Sequence, residues 1–230
     1  MSWFSDAFTS SIGRKVLMAL TGLFLITFLT VHVAGNLQLL ASDQGKSFNI
    51  YSDFMANNGL IQMVSKVNFF LILLHVIIAT TLYRKNKKAR PIDYKVSGGN
   101  SNSSWASRSM TLLGTLTLIF LLVHLRGFWY ELHYGSVPMI TYDGTQMKDS
   151  FLVVQEAYTN VFYVGFYVAA MIALGFHLLH GFSSAFQTLG LNHAKYTPLI
   201  NWLGKFYAIV VSFLFAIIPI VMYFKSLALI

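Results

Sequence analysis

Four histidines stand deep inside long apolar stretches of this chain: His32, His75, His124 and His177. A neutral imidazole carries one lone pair and one N–H, so it can pack, relay a proton or ligate a metal. The stretch around His32, TGLFLITFLTVHVAGN over residues 21–36, states the problem most sharply: one polar ring among leucines, phenylalanines and valines.

Counting residues at about 1.5 Å of helical rise gives each ring a depth. His32 stands 17 residues beyond Lys15 and His124 stands 16 beyond Arg108, which is about 25 and 24 Å. His75 is nine residues from Arg84 and His177 ten from Gln187, which is about 14–15 Å. The rings therefore fall on two levels, His32 with His124 and His75 with His177, separated by roughly 10 Å. Two imidazoles at one depth on different helices suit axial ligation of a haem iron, one nitrogen each. The remaining nitrogen then needs a carbonyl or hydroxyl behind it. One turn after each histidine is a small residue, Gly35, Ala79, Gly127 or Gly181, which would thin the helix beside a flat macrocycle. The split between levels, with no carboxylate nearby, argues against zinc. His180 lies three residues after His177, on nearly the same helical face, and is an alternative ligand. His133 and His193 fall outside the apolar runs and read as interfacial or solvated.

The elements that must position these rings are long. Five runs, roughly 16–40, 60–83, 108–132, 158–186 and 203–224, reach the approximately 20 residues needed to cross a bilayer core. Backbone groups in lipid must bond within their own segment, so such runs are helices; none alternates as a transmembrane strand would. Composition agrees: 56% of residues are hydrophobic and 10% are charged, against about 25% charged in soluble domains. With no cysteine, disulfides, thiolate metal sites, cysteine-held iron–sulfur clusters and CxxCH haem attachment are excluded. The first apolar run is too long for a signal peptide and reads as a retained span. The net charge of +8 sits between the spans, which points to lipid head groups and topology rather than nucleic acid. The leader places Trp3 and Phe4 at the interface. Residues 41–59 and the mildly acidic 133–157 read as loops, and 84–107 as a basic patch followed by a flexible stretch.

The positive-inside rule sets the orientation. With the N-terminus inside, the inner segments hold Arg14, Lys15, Arg84, Lys85, Lys87, Lys88, Arg90, Lys95, Arg108, Lys195 and Lys205. Only Lys46, Lys66, Arg126, Lys148 and Lys225 fall outside. The expected fold is an all-α integral membrane protein of five transmembrane helices, four of them forming a di-haem bundle, N-terminus inside and C-terminus outside.

Taken together, TGLFL with His32 eleven residues after Thr21, VHL at the end of the third span, and His177 followed by Gly181 and Gly190 resemble a known family. They are similar to the cytochrome b membrane-anchor subunit of succinate:quinone oxidoreductases (succinate dehydrogenases and fumarate reductases), of the single-subunit, five-helix, two-haem type. The resemblance covers nearly the whole chain and favours His177 over His180. It implies that His75 and His177 hold an inner haem b, and His32 and His124 an outer one. It further implies a flavoprotein and an iron–sulfur subunit on the inner face, a quinone, often menaquinone in two-haem members, and a bacterial inner membrane. A higher oligomer of the complex is compatible with this. The chain would carry electrons and do no chemistry on succinate. Propionate partners would be drawn from Arg126 and Lys66 outside, and Arg14, Lys15, Arg84 and Arg108 inside, all equally readable as flanking charges. Some members carry a carboxylate two residues before the fourth-span histidine; here Gly175 stands there. Asp53, Glu131 and His133 fall near the outer quinone region. Two other readings use the same histidines: the cytochrome b subunit of a formate dehydrogenase or hydrogenase, and a transporter with a histidine proton relay.

Overall fold

The computed structural model describes residues 9–89 and 104–228. Five helices in it are long and apolar enough to cross a membrane, and the chain is a mostly helical, multi-pass membrane protein by that architecture. They cover Ser11–Leu40, Gly59–Ala89, Met110–Tyr134, Val161–Thr188 and Thr197–Ser226. The first, second and fifth contain their expected spans and exceed them by a turn or more at one end, because the polar flanks keep helical bonding after the apolar run ends, while the third and fourth begin two and three residues later than expected and end two residues later. Trp3, Phe4, Arg90, Lys95 and most of the expected flexible stretch lie outside the described residues.

The first span is α1 (Ser11–Asn36) plus a 3₁₀ turn, Leu37–Leu40. Its N-cap is Ser10, whose hydroxyl accepts from Gly13 N at 2.9 Å, replacing one bond the first turn lacks. Helix α2 (Lys46–Asn57) then lies across the end of the bundle, and α3 (Gly59–Ala89) returns. A short α4 (Trp105–Arg108) leads into α5 (Met110–His124), which passes through a π-helical segment, Leu125–Tyr130, into α6 (Glu131–Tyr134). Strands β1 (Met139–Tyr142) and β2 (Thr145–Lys148) form a hairpin, followed by α7 (Ser150–Ala157). Helices α8 (Val161–Thr188) and α9 (Thr197–Ser226) complete the bundle.

Helices α8 and α9 pack most closely. Gly204 admits the Phe182 ring, Ala208 is fully buried, and Gly175 faces Ser212. Small residues let two backbones approach where lipid offers no hydrophobic drive. Against this pair α1 packs on both α8 and α9, α5 packs on α8, and α3 packs on α1. The outward faces are apolar and open, with Leu73, Leu122, Ile172 and Phe213 each more than half exposed, as lipid contact requires.

One end of the bundle is capped, and this departs from the expectation of plain loops at 41–59 and 133–157. Asp43 accepts from Ser47 N at 2.9 Å and from the Ser47 hydroxyl, starting α2. Those Ser47 donors hold the Asp43 carboxyl below the usual carboxylate range. Gly45 takes φ +87° with the Phe151 ring against it, so only glycine fits there. The hairpin turns on Asp143–Gly144, both at positive φ, the pair a two-residue turn of this hand demands. Asn49 binds the pieces together. Its Nδ2 donates to Asp149 Oδ1 at 2.9 Å, and its Oδ1 accepts from Phe151 N at 2.8 Å. Lys225 closes the cap on α9 by donating to the carbonyls of Leu40 and Ala41.

Because Asn49 is fully buried, Asn49→Ala leaves Phe151 N and Asp149 short of a partner, a cost of about 1–3 kcal/mol. Limited proteolysis in detergent should then cut residues 139–157 several-fold faster, with the five long helices retained by circular dichroism.

Candidate cofactor site

The bundle brings together the rings that share a level. Near the capped end, His32 of α1 and His124 of α5 stand edge to face with centroids 5.8 Å apart. Farther along, His75 of α3 and His177 of α8 stand 6.5 Å apart. No ring contact joins His180 to either pair among the described residues; it is half-buried on α8. His133 is exposed, stacks on Trp129 and donates from Nδ1 to Trp129 O at 2.7 Å. His193 is exposed and accepts from Lys195 N. Among the described residues, no three His, Cys, Asp or Glu side chains gather as a cage for a bare metal ion.

Each pair has one ring anchored by a hydroxyl. Thr21, one of the buried polar residues, sets Oγ1 2.9 Å from His75 Nδ1. The same oxygen reaches Leu17 O at 2.9 Å, and so donates its hydrogen there. A hydroxyl has one hydrogen, so toward His75 the oxygen accepts: Nδ1 carries the proton and Nε2 keeps the lone pair. His124 Nδ1 lies 3.2 Å from the Tyr167 hydroxyl, again leaving Nε2 for the partner across the pair. The second ring of each pair is held less. His177 Nδ1 is buried with no hydrogen-bond partner. Over His32, the Asn36 amide makes only long approaches to the ring and spends its best bond, 2.8 Å, on the His32 carbonyl. Phe28 and Phe215 close around His32; Phe120 and Phe128 close around His124.

The small residues one turn after the histidines meet different neighbours. A Cβ on Gly35 would overlap Tyr51, and one on Gly127 would overlap the Tyr163 hydroxyl. The nearest side chain to Gly181 is Met110, and Ala79 is exposed. The glycines that face the rings are Gly22, whose Cβ would lie 3.6 Å from His75 Cε1, and Gly114, 3.7 Å from His177 Cε1. Their spacing to the histidines is regular. Gly22 precedes His32 by ten residues and Gly114 precedes His124 by ten, so α1 and α5 each present a histidine at one level and a glycine at the other. Thr21, Tyr167 and these glycines are the site residues that depth counting passed over.

The charged candidates do not converge on the rings. Arg126 is bound to Glu131 at 2.5 Å and lies over the Tyr130 ring. Lys66, Lys15, Arg84 and Arg108 are exposed, and Arg14 is half-buried. Asp53 lines a surface cleft of about 530 Å³ between α2 and the hairpin. Gly175 is occupied by helix packing: Ser212 Oγ would stand 3.1 Å from a Cβ there, so a carboxylate would collide with α9.

The donor set is compatible with a group that brings its own equatorial donors. An iron held by two ring nitrogens at about 2 Å each keeps the ring centroids roughly 6 Å apart, close to the 5.8 and 6.5 Å observed. Two ligands do not hold a bare ion in a tetrahedral or octahedral site, but they complete an iron whose four equatorial donors belong to a porphyrin. The buried, unpartnered His177 nitrogen fits the same group.

Comparison of the chain with protein-family models, curated proteins and solved structures finds no match.

The pairing can be checked without any cofactor, because the chain has no cysteine. The double variants His32→Cys/His124→Cys and His75→Cys/His177→Cys should be joined by a short thiol-specific cross-linker in membranes. Cleavage at a protease site inserted between residues 89 and 105 should then leave the two fragments linked. The pair His32→Cys/His177→Cys should remain separable.

Proposed function

We propose that the chain is the di-haem cytochrome b anchor of a succinate dehydrogenase or fumarate reductase complex. In this reading it carries electrons between an iron–sulfur subunit and membrane quinone. The observation that carries the reading is the spacing of the two histidine pairs, each on two different helices and each matched to bis-imidazole ligation. The resemblance of residues 21–36, of VHL in the third span, and of the Gly181 and Gly190 spacing after His177 supplies the complex.

Haem b would supply a one-electron carrier at each level when bound. The chain's own residues do the rest. His75 and His177 hold the inner group, His32 and His124 the outer group, all in neutral form through a ring nitrogen. Thr21 and Tyr167 orient His75 and His124 by accepting from Nδ1–H. The surrounding phenylalanines exclude water from the outer pair. The N-terminus lies inside, so the open end of the bundle meets the flavoprotein and iron–sulfur subunits. The capped end then faces outward in a bacterial inner membrane, beside the quinone region.

The full chain, purified after expression with haem supply, should show a reduced b-type spectrum and two haems per chain. His32→Ala and His124→Ala should each lose the same component, and His75→Ala and His177→Ala the other, while His180→Ala keeps both. Colourless, folded protein overturns the reading. Co-purification with a flavoprotein that oxidises succinate separates it from a formate dehydrogenase or hydrogenase subunit, whose catalytic partner is different.

A further inference from the structure

The two hydroxyls behind the histidines differ in where their own hydrogens go. Thr21 ends its chain at once, on the carbonyl of Leu17 in its own helix. Tyr167 does not. Its hydroxyl meets the Tyr163 hydroxyl at 3.2 Å, one turn nearer the capped end of α8. Tyr163 reaches into the space left by Gly127, at the point where the helix after His124 widens into the π-helical segment Leu125–Tyr130. Such widenings place side chains that a regular helix would exclude. Tyr167 is 4% exposed and is wedged among Phe120, Phe128, Phe166 and Tyr158. Its hydroxyl is therefore held in place rather than free to turn to water. A third tyrosine, Tyr158, packs its ring on Tyr167 with centroids 5.3 Å apart, yet its hydroxyl takes no part in this chain.

We infer that Tyr167, backed by Tyr163, is a positioning residue that sets the electron affinity of the group held by His32 and His124, and of that group alone. This rests on the di-haem reading above. The physical reason is direct. With Nε2 committed to iron, His124 Nδ1 carries the hydrogen and donates it to Tyr167, and Tyr167 donates in turn to Tyr163. An N–H that leans into an acceptor leaves the ring a stronger electron donor. Stronger donation favours the oxidised metal and lowers its potential. Each further link polarises the one before it, so the two-tyrosine chain acts more strongly than a single hydroxyl.

Potentiometric titration of the purified, two-haem chain tests this. Tyr167→Phe should raise the midpoint potential of one component and leave the other in place. Tyr163→Phe should raise the same component by a smaller amount, and Tyr158→Phe should move neither. Thr21→Val should move only the second component. Two haems bound with both potentials unchanged in Tyr167→Phe and Tyr163→Phe overturn the inference while leaving the di-haem reading intact. So does an equal shift in Tyr158→Phe, which would make the effect one of packing. A chain that binds no haem overturns both. If Tyr167→Phe does not accumulate, Tyr163→Phe against Tyr158→Phe decides: an unmoved Tyr163→Phe sinks the inference.

Discussion

A polar ring in an apolar interior is stabilised where a neighbour meets its nitrogen, and this shapes the bundle. Four imidazoles bring eight ring nitrogens into the partly buried middle of an apolar bundle. An unmet polar group there costs several kcal/mol. Hydroxyls on neighbouring helices meet two of the nitrogens, Thr21 at His75 and Tyr167 at His124. Those bonds cross from α1 to α3 and from α8 to α5. They fix which helices are neighbours and which ring edge faces the middle. The second ring of each pair, His177 or His32, has no such hydroxyl behind it.

Small residues line the contacts between helices, and at Gly204 a Cβ would overlap the Phe182 ring. Gly22 and Gly114 receive the rings of the other level, while Gly204 and Ala208 bring α9 against α8. The result is a reciprocal arrangement. Helices α1 and α5 each give a histidine to one level and a gap to the other; α3 and α8 fill those gaps with their own histidines. Helix α9 contributes no histidine. It braces α8, and it supplies Phe215 to the ring of His32.

The capped end has a different physical character. It is held by amide and carboxylate bonds around Asn49, Asp43 and Asp149 rather than by apolar area alone. Lys225 ties it to the last helix. Its position beside the His32–His124 pair and the tyrosines of α8 makes it the lid of that level. The opposite end has no comparable cover among the described residues.

Much of the architecture was legible in the chain itself. Five apolar runs of bilayer length leave the backbone no option but helix, and a rise of about 1.5 Å per residue turns sequence distance into depth. The two histidine levels followed from that arithmetic, and their partners are the rings now seen in contact. The cap was less legible. Residues 41–59 and 133–157 read as loops because short amphipathic helices and four-residue strands carry weak periodicity, although Asp143–Gly144 was a turn signal. Depth also carries no azimuth. Counting along each helix could not tell that Gly35 and Gly127 face Tyr51 and Tyr163, that Gly22 and Gly114 face the rings, or that Tyr167 stands behind His124. Those relations depend on how each helix is rotated about its axis. Rotation is set by packing between residues far apart in the chain, 54 positions for Thr21 and His75. One-dimensional spacing thus determined the number of helices and the level of each imidazole. Only the packed bundle decided that Nδ1 of His75 and of His124 meets a hydroxyl, because each hydroxyl stands on another helix.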